Sequence, residues 1–203
     1  MTDRLTADPD GIGRAVDVLR RGGIVAIPTD TVYGLSVSWE RADRLPALYA
    51  LKRRPPEKQI AALVASLAQV AAGGWAAGEH ATRLAERFWP GPLTLVLGGS
   101  VGPSGPSQGF RVPDHPVALD LVRATGPLLA TSANLSGEPD TRDADDVLIA
   151  FATQQSELDA VIDAGRVPGG IASTVVDLTV SPARILRDGP ITRDVLERII
   201  ELA

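Results

Sequence analysis

Short apolar runs that stop at small polar residues constrain the fold of this chain more than any other feature. The first run, Ile24–Ile27, lies between two glycines and Pro28, which is the pattern of a buried strand rather than of a helix. It stops at Thr29–Thr31, where short polar side chains replace the apolar ones that a continuing strand needs. This strand end predicts either a turn that offers hydroxyls and backbone N–H groups to a ligand, or a plain polar turn between two strands.

The same pattern returns further along the chain. The apolar run Pro127–Ala130 ends in Thr131–Gly137, a cluster of hydroxyl and amide side chains. Ser173 and Thr174 place two more hydroxyls at the start of a strand pattern. Because ligand sites in α/β proteins lie at strand ends, several polar strand ends in one chain favour a pocket.

A cluster of cations follows the second predicted helix. The segment Lys52–Lys58 contains the chain's only two lysines, two arginines, one glutamate and two prolines. Cations are costly to gather unless an anion lies among them, so the cluster is a candidate anion site. A basic helix C-terminus that complements the helix dipole is the alternative, and it needs only one or two cations.

Apolar runs alternate along the chain with segments of helical periodicity, and this alternation predicts an α/β fold. Asp43, Ser66 and Thr141 are the expected N-caps of three of the helices. The expected strands cover residues 24–27, 36–39, 60–65, 93–97, 110–113, 127–130, 158–163, 173–178 and 183–187.

The length of 203 residues predicts one domain over residues 1–203, without a further C-terminal domain. Residues 1–9 read as an irregular N-terminal arm. Gly98–Gly109 is rich in Gly, Pro and Ser, and it is expected to form a flexible surface loop.

The composition excludes several classes of chemistry. The absence of cysteine excludes disulfides, a cysteine nucleophile and thiolate metal sites, and His80 and His115 are too few for a histidine-rich metal site. The net charge of −5 argues against a global basic field for nucleic acid. No apolar run is long enough to span a membrane and the N-terminus does not resemble a signal peptide, so we expect a cytoplasmic protein.

Seven motifs, in order and over about residues 11–203, closely resemble the YrdC-like family. They are GGIVAIPTDTVYGL, KRRP, PGPLTLVL, FRVPDHP, TSANLSG, STVVDLT and ILRDGPI. The resemblance implies a single twisted mixed sheet flanked by helices around a concave cavity. It also implies the activity of a short-form threonylcarbamoyl-AMP synthase, a nucleotidyltransferase. Such an enzyme converts L-threonine, bicarbonate and ATP to threonylcarbamoyl-AMP and pyrophosphate, and other proteins transfer the threonylcarbamoyl group to tRNA.

The resemblance also assigns site residues. Lys52 and Arg54 match the family's Lys-x-Arg pair and are the expected catalytic residues. The expected ATP-binding residues are Lys52, Arg54, Lys58, Thr94, Ser132, Asn134 and Arg187. The expected threonine-binding residues are Thr29, Thr31, Arg111 and Ser173. No protein metal site is expected, because Mg²⁺ would arrive with the phosphates of ATP.

Three positions depart from the family pattern. Arg53 stands where glycine is frequent, Gln59 where proline is common, and Leu63 where some members carry a histidine near the threonine. The family's longer relatives cover the site with a linker to a C-terminal domain. We therefore expect residues 98–109 or 1–9 to shield the labile intermediate here.

Two other functions compete with the synthase. A non-catalytic module that binds tRNA or double-stranded RNA would use the concave surface, but phosphate tracking needs cations over a wider area than Lys52–Lys58. A related carbamoyl-adenylate activity occurs in domains of hydrogenase-maturation proteins, which are much longer and contain cysteine motifs that this chain lacks. Contact with tRNA stays possible under the synthase interpretation.

Overall fold

A computed structural model describes residues 2–103, 105–153 and 157–203, and its strands form one mixed sheet. The strands are β1 Asp3–Thr6, β2 Val25–Ile27, β3 Gly34–Ser38, β4 Ala61–Leu63, β5 Leu93–Gly102, β6 Gly105–Arg111, β7 Leu128–Ser132, β8 Ala160–Asp163, β9 Thr174–Asp177 and β10 Arg184–Arg187. Their order across the sheet is β1-β8-β2-β3-β7-β4-β6-β5-β9-β10. Helices lie between β1 and β2, between β3 and β5 and between β6 and β8, which confirms the predicted single-domain α/β fold with a mixed sheet.

Helices cover both faces of the sheet. They are α1 Pro9–Arg20, a 3₁₀ helix Trp39–Arg44, α2 Leu45–Leu51, α3 Leu67–Ala72, α4 Glu79–Phe88, α5 Pro116–Thr125, α6 Ala144–Ala150 and α7 Arg193–Glu197. One core joins Leu35 of β3 to Leu48 of α2 and Leu84 of α4. A second core joins Val25 of β2 to Leu19 of α1 and to α5. Val25 pairs with Ser36, the neighbour of Leu35, so the two cores lie on opposite faces.

The N-terminal residues are not an irregular arm, so that prediction was wrong. Asp3–Thr6 forms the edge strand β1, which pairs in parallel with β8. Leu5 is 2% exposed and belongs to the second core, and Arg4 forms ion pairs with Asp145 and Asp163. The segment is ordered because it completes the apolar face of α1 and gives β8 a partner strand.

The prediction of a flexible loop over Gly98–Gly109 was also wrong for the residues of that segment that the structure describes. β5 and β6 pair there as antiparallel strands, with Gly98 opposite Ser107 and Gly102 opposite Gly105. Trp75 packs against Gly102, where a Cβ atom would lie 2.9 Å from its ring. The Gly- and Ser-rich composition suggested a loop. The glycine at position 102 is instead explained by its close packing against the Trp75 ring.

Two of the predicted helix caps were also wrong. The N-cap of α2 is Arg44, and the Asp43 carboxylate binds Arg41 instead. The N-cap of α6 is Asp143, whose side chain accepts a hydrogen bond from the Asp146 N–H. Ser66 caps α3 as predicted, by accepting from the Gln69 N–H.

No helix in the described part of the chain is long and apolar enough to cross a membrane.

Candidate active site

A cavity of about 730 Å³ opens on one face of the sheet, along the strands from β3 to β10. Leu63 belongs to the second core and also lines this cavity, so the cavity is the part of that face that α1 and α5 leave uncovered. All the predicted site residues line it except Lys52 and Asn134. The cavity-lining side chains that carry polar groups are Thr29, Thr31, Arg54, Glu57, Lys58, Gln59, Thr94, Arg111, Thr131, Ser132, Ser173 and Arg187.

The turn after β2 is held together by the hydroxyl of Thr29. This hydroxyl donates to the Val32 carbonyl at 2.6 Å and accepts from the N–H groups of Thr31 and Val32. Its oxygen lies 3.0 Å from Thr31 Oγ1. The single Thr29 hydroxyl hydrogen goes to Val32, so Thr29 does not donate to Thr31.

Thr31 therefore presents an acceptor to the cavity. Arg111 Nη1 donates to Thr31 Oγ1 at 2.9 Å, which occupies one of its two lone pairs. The remaining lone pair suits a ligand that brings a hydroxyl or amine hydrogen.

Arg111 is a buried cation of β6 that links this turn to Gly91, which lies just before β5. Its Nε donates to the Gly91 carbonyl at 3.0 Å and its Nη2 donates to Asp30 Oδ1 at 2.6 Å. Burial lowers the pKa of the Arg111 guanidinium, and the Asp30 charge opposes that shift. The side chains of Arg111 and Asp30 are only 8% and 14% exposed, so the pair fixes a desolvated charge at the cavity wall.

Lys52 lies behind the cavity wall rather than in it, and its residue is 1% exposed. Its Nζ donates to the backbone carbonyls of Ser132 and Asn134 and, at 3.3 Å, to Asn134 Oδ1. Burial and the Arg54 charge lower the pKa of Lys52 to about 7, while Asp140 opposes them. In this structure, the lysine holds the loop after β7 and does not face the cavity.

Asn134 likewise supports this loop and does not line the cavity. Its Oδ1 accepts from Ser132 Oγ at 2.6 Å, and its Nδ2 donates to the Glu138 carbonyl. Ser132 itself lines the cavity. Lys52 and Asn134 thus determine where the Ser132 hydroxyl lies.

The basic loop after α2 is closed by one of its own cations. Arg54 Nε donates to the Lys58 carbonyl and Arg54 Nη2 to the Gln59 carbonyl, both at 2.9 Å. Burial lowers the pKa of Arg54. Arg54 lines the cavity while it braces this loop, and exposed Lys58 lies on the rim.

Arg53 explains why glycine is frequent at its position. Its φ is 51°, in the left-handed region that residues with a Cβ rarely adopt. The other two departures, Gln59 and Leu63, both line the cavity. They change its wall without closing it.

Thr94, Ser173 and Arg187 meet on the other side of the cavity. Ser173 Oγ lies 2.8 Å from Thr94 Oγ1, and Arg187 donates from Nη2 to Ser173 Oγ and from Nε to the Ser173 carbonyl. Burial lowers the pKa of Arg187, Asp140 opposes the shift, and the charges of Arg111 and Arg54 add to it. Arg54, Arg111 and Arg187 line one cavity, and an anion there would offset their charges.

Several residues at this site were not predicted. Thr131 and Glu57 line the cavity, and Glu57 is the sole carboxylate among the described lining residues. Asp30 holds Arg111 from outside the cavity. Thr131 and Asp30 belong to the polar turns described above. The polar residues beside them were the signal that could have identified them as site residues.

The described residues contain no group of three or more His, Cys, Asp or Glu side chains that could hold a metal ion.

These features define an α/β protein with a concave cavity lined by hydroxyl groups and arginines. The family model for the Sua5/YciO/YrdC domain, described as telomere recombination, matches residues 17–189. This chain belongs to that family.

Curated relatives carry a common name. A threonylcarbamoyl-AMP synthase of Bacillus subtilis is 34% identical over 98% of this chain, and one of Pyrococcus abyssi is 36% identical over 92%. The alignments cover 59% and 56% of those two proteins, so this chain spans little more than half of their length.

Solved structures agree with the fold. Pyrococcus abyssi Sua5 complexed with L-threonine is similar over 100% of this chain and 62% of its own, with a TM-score of 0.89 and 32% identity. Escherichia coli YciO is similar over 94% of this chain and 96% of its own, with a TM-score of 0.81 and 25% identity.

Proposed function

We propose that this chain is an L-threonylcarbamoyladenylate synthase that forms threonylcarbamoyl-AMP and pyrophosphate from L-threonine, bicarbonate and ATP. The observation that carries the proposal is that one cavity is lined by residues of both predicted subsites, Thr31 and Arg111 for threonine and Arg54 and Arg187 for ATP. The names of the relatives and the threonine-bound Pyrococcus structure support it.

Arg111 and Thr31 suit an amino acid. Three N–H groups of Arg111 are engaged by Gly91, Thr31 and Asp30, which leaves two of its five for a carboxylate. The free lone pair of Thr31 accepts from the hydroxyl or amine of the substrate. Thr29 supports this contact by holding the turn that carries Thr31, and Leu63 offers an apolar wall.

Arg54, Lys58 and Arg187 suit the nucleotide. ATP brings about four negative charges, and phosphoryl and nucleotidyl transfer depend mainly on positioning and charge neutralisation. The hydroxyls of Thr94 and Ser132 line the same cavity and add neutral hydrogen-bonding groups to these cations. Lys52 contributes by holding Ser132 and Asn134 in place.

The proposed reaction has two bond-forming steps. The threonine amine attacks bicarbonate carbon, a C–N bond forms, and water leaves to give the carbamate. A carbamate oxygen then attacks the α-phosphorus of ATP, and pyrophosphate leaves. Orientation of three substrates in one cavity is the main requirement, and no protein nucleophile takes part.

Magnesium fits this site as a companion of ATP. Glu57 is the sole carboxylate among the described lining residues, which is too few for a protein cage. We propose that Mg²⁺ is held through the phosphates and neutralises their charge.

The product has to be used by a second protein. Threonylcarbamoyl-AMP is a mixed anhydride that loses its group to water, so we propose a threonylcarbamoyl-transfer protein acting on tRNA as the next step, in the cytoplasm where ATP and tRNA occur together. Whether this chain itself touches tRNA stays a prediction.

Pyrophosphate release by the purified protein tests the proposal. ATP and Mg²⁺ are supplied with threonine and bicarbonate, each present or omitted. Release that needs both is the expected result. Release that is indifferent to threonine indicates another acceptor, and tight tRNA binding without any release supports the RNA-binding module instead.

A further inference from the structure

Ser173 is the point where three elements of the cavity wall meet. It immediately precedes β9, which lies between β5 and β10. Thr94 of β5 and Arg187 of β10 both pair with Val175, two residues after Ser173. Because alternate residues of a strand share a face, Thr94, Ser173 and Arg187 all face the cavity.

Arg187 is held by one edge of its guanidinium. The Nε and one Nη2 hydrogen are engaged by the Ser173 carbonyl at 2.9 Å and the Ser173 hydroxyl at 3.0 Å. In the described residues no other protein acceptor takes its remaining N–H groups. A guanidinium fixed on one edge presents the other edge in the geometry that binds phosphate through two hydrogen bonds.

Thr94 is held by the same serine. Its hydroxyl oxygen lies 2.8 Å from Ser173 Oγ, and both residues are buried. A hydroxyl without a fixed partner rotates freely, so the contact limits the orientation of Thr94 in the cavity.

We propose that Ser173 is a positioning residue for the nucleotide, which acts by aiming Arg187 and Thr94, in addition to any contact it makes with the amino acid. This inference rests on the proposed function, because it takes ATP as the ligand of Arg187. The family resemblance assigned Ser173 to threonine binding. Under this proposal, the main effect of Ser173 is on ATP binding.

Calorimetric binding of ATP with Mg²⁺, and separately of threonine, tests this role. Ser173→Ala is expected to raise the Kd for ATP about tenfold, the size of one lost hydrogen bond to a charged group. Ser173→Thr keeps the hydroxyl and is expected to restore the Kd to within about twofold.

A double-mutant cycle shows whether the serine acts through the arginine. In the Arg187→Ala background, Ser173→Ala should weaken ATP binding by no more than about twofold, because the charged target is gone and only the neutral Thr94 hydroxyl remains. A purely structural role of Ser173 would weaken binding equally in both backgrounds. Circular dichroism of each variant confirms folding.

Three outcomes separate the claims. A Ser173→Ala variant that binds ATP normally but loses threonine overturns the positioning role, as does full additivity with Arg187→Ala. A wild-type protein that binds neither ATP nor threonine overturns the proposed function itself.

If Ser173→Ala does not fold, Arg187→Lys replaces it, because an ammonium cannot bind both Ser173 oxygens and a phosphate in the same geometry. A normal ATP Kd in that variant also overturns the inference.

Discussion

Replacing Lys52 by methionine should change how the stability of the protein depends on pH. Lys52 is 1% exposed and its pKa is lowered to about 7 from the ordinary 10.5. Between these two values the unfolded chain binds more protons than the folded chain. Stability therefore rises with pH over that window and is lost as the pH falls toward 7.

The size of the effect follows from the two pKa values. A full difference of one proton gives a slope of about 1.4 kcal/mol per pH unit. At pH 7 the folded lysine is about half protonated, so the slope begins near half that value and then approaches it. Integration from pH 7 to pH 9 gives a gain of ~2 kcal/mol for the wild type.

Urea unfolding at pH 7 and pH 9 measures this gain. Lys52→Met has no titrating group there and should lack the ~2 kcal/mol, whatever constant cost its lost hydrogen bonds impose. Lys58→Met is the matched control, since Lys58 is an exposed lysine of the same loop. It should keep the wild-type gain.

An equal gain in wild type and Lys52→Met would refute the reasoning. It would mean that the three oxygens that accept from Nζ fully offset the cost of burying the charge.

Three further substitutions test the cavity wall. Asp30→Asn leaves Arg111 as a buried, uncompensated charge, so the free energy of unfolding should fall by about 3 kcal/mol and threonine binding should weaken. Arg53→Gly removes the strain of a left-handed residue and should raise the free energy of unfolding by about 1 kcal/mol in urea titrations. Gly169→Ala places a Cβ atom 2.1 Å from the Thr31 carbonyl oxygen, which should displace the turn and raise the Kd for threonine about tenfold in calorimetry.

Each substitution has a matched control on the same chain. Asp114→Asn changes an exposed acid whose N–H also binds Asp30, and stability equal to that of Asp30→Asn would contradict the ion-pair argument. Arg21→Gly removes an arginine from a position with φ of −78°, so it should not stabilise; a gain there would remove the strain explanation for Arg53. Gly13→Ala meets no atom within 4 Å, and a loss of threonine binding there would show that Gly169→Ala acts non-specifically.

The polar strand ends were predictable because they depend on local chemistry. A short apolar run that stops at small polar residues, as at Thr29–Thr31 and Thr131–Gly137, indicates a strand that ends in a turn. Both turns contribute residues to the cavity. The hairpin over Gly98–Gly109 was not predictable. Its packing depends on Trp75, which lies between α3 and α4 and is distant in sequence.

The position of Lys52 shows a second limit of the sequence. Its cluster with Arg54 suggested two cations that face one ligand, yet the structure places Lys52 on carbonyls of the loop after β7. Main-chain acceptors leave no pattern in a sequence, because every residue has one. The grouping of Thr94, Ser173 and Arg187 is hidden for a related reason, since it requires the order of β5, β9 and β10.

The most direct test of the central claim is the fate of bicarbonate carbon. The purified protein is incubated with ATP, Mg²⁺, threonine and ¹³C-bicarbonate, and the nucleotides are analysed by mass spectrometry. The account predicts an adenylate that carries both threonine and one ¹³C atom, and that is absent when threonine is omitted. Labelled adenylate without threonine, or no labelled adenylate from a folded protein that binds ATP, would contradict it.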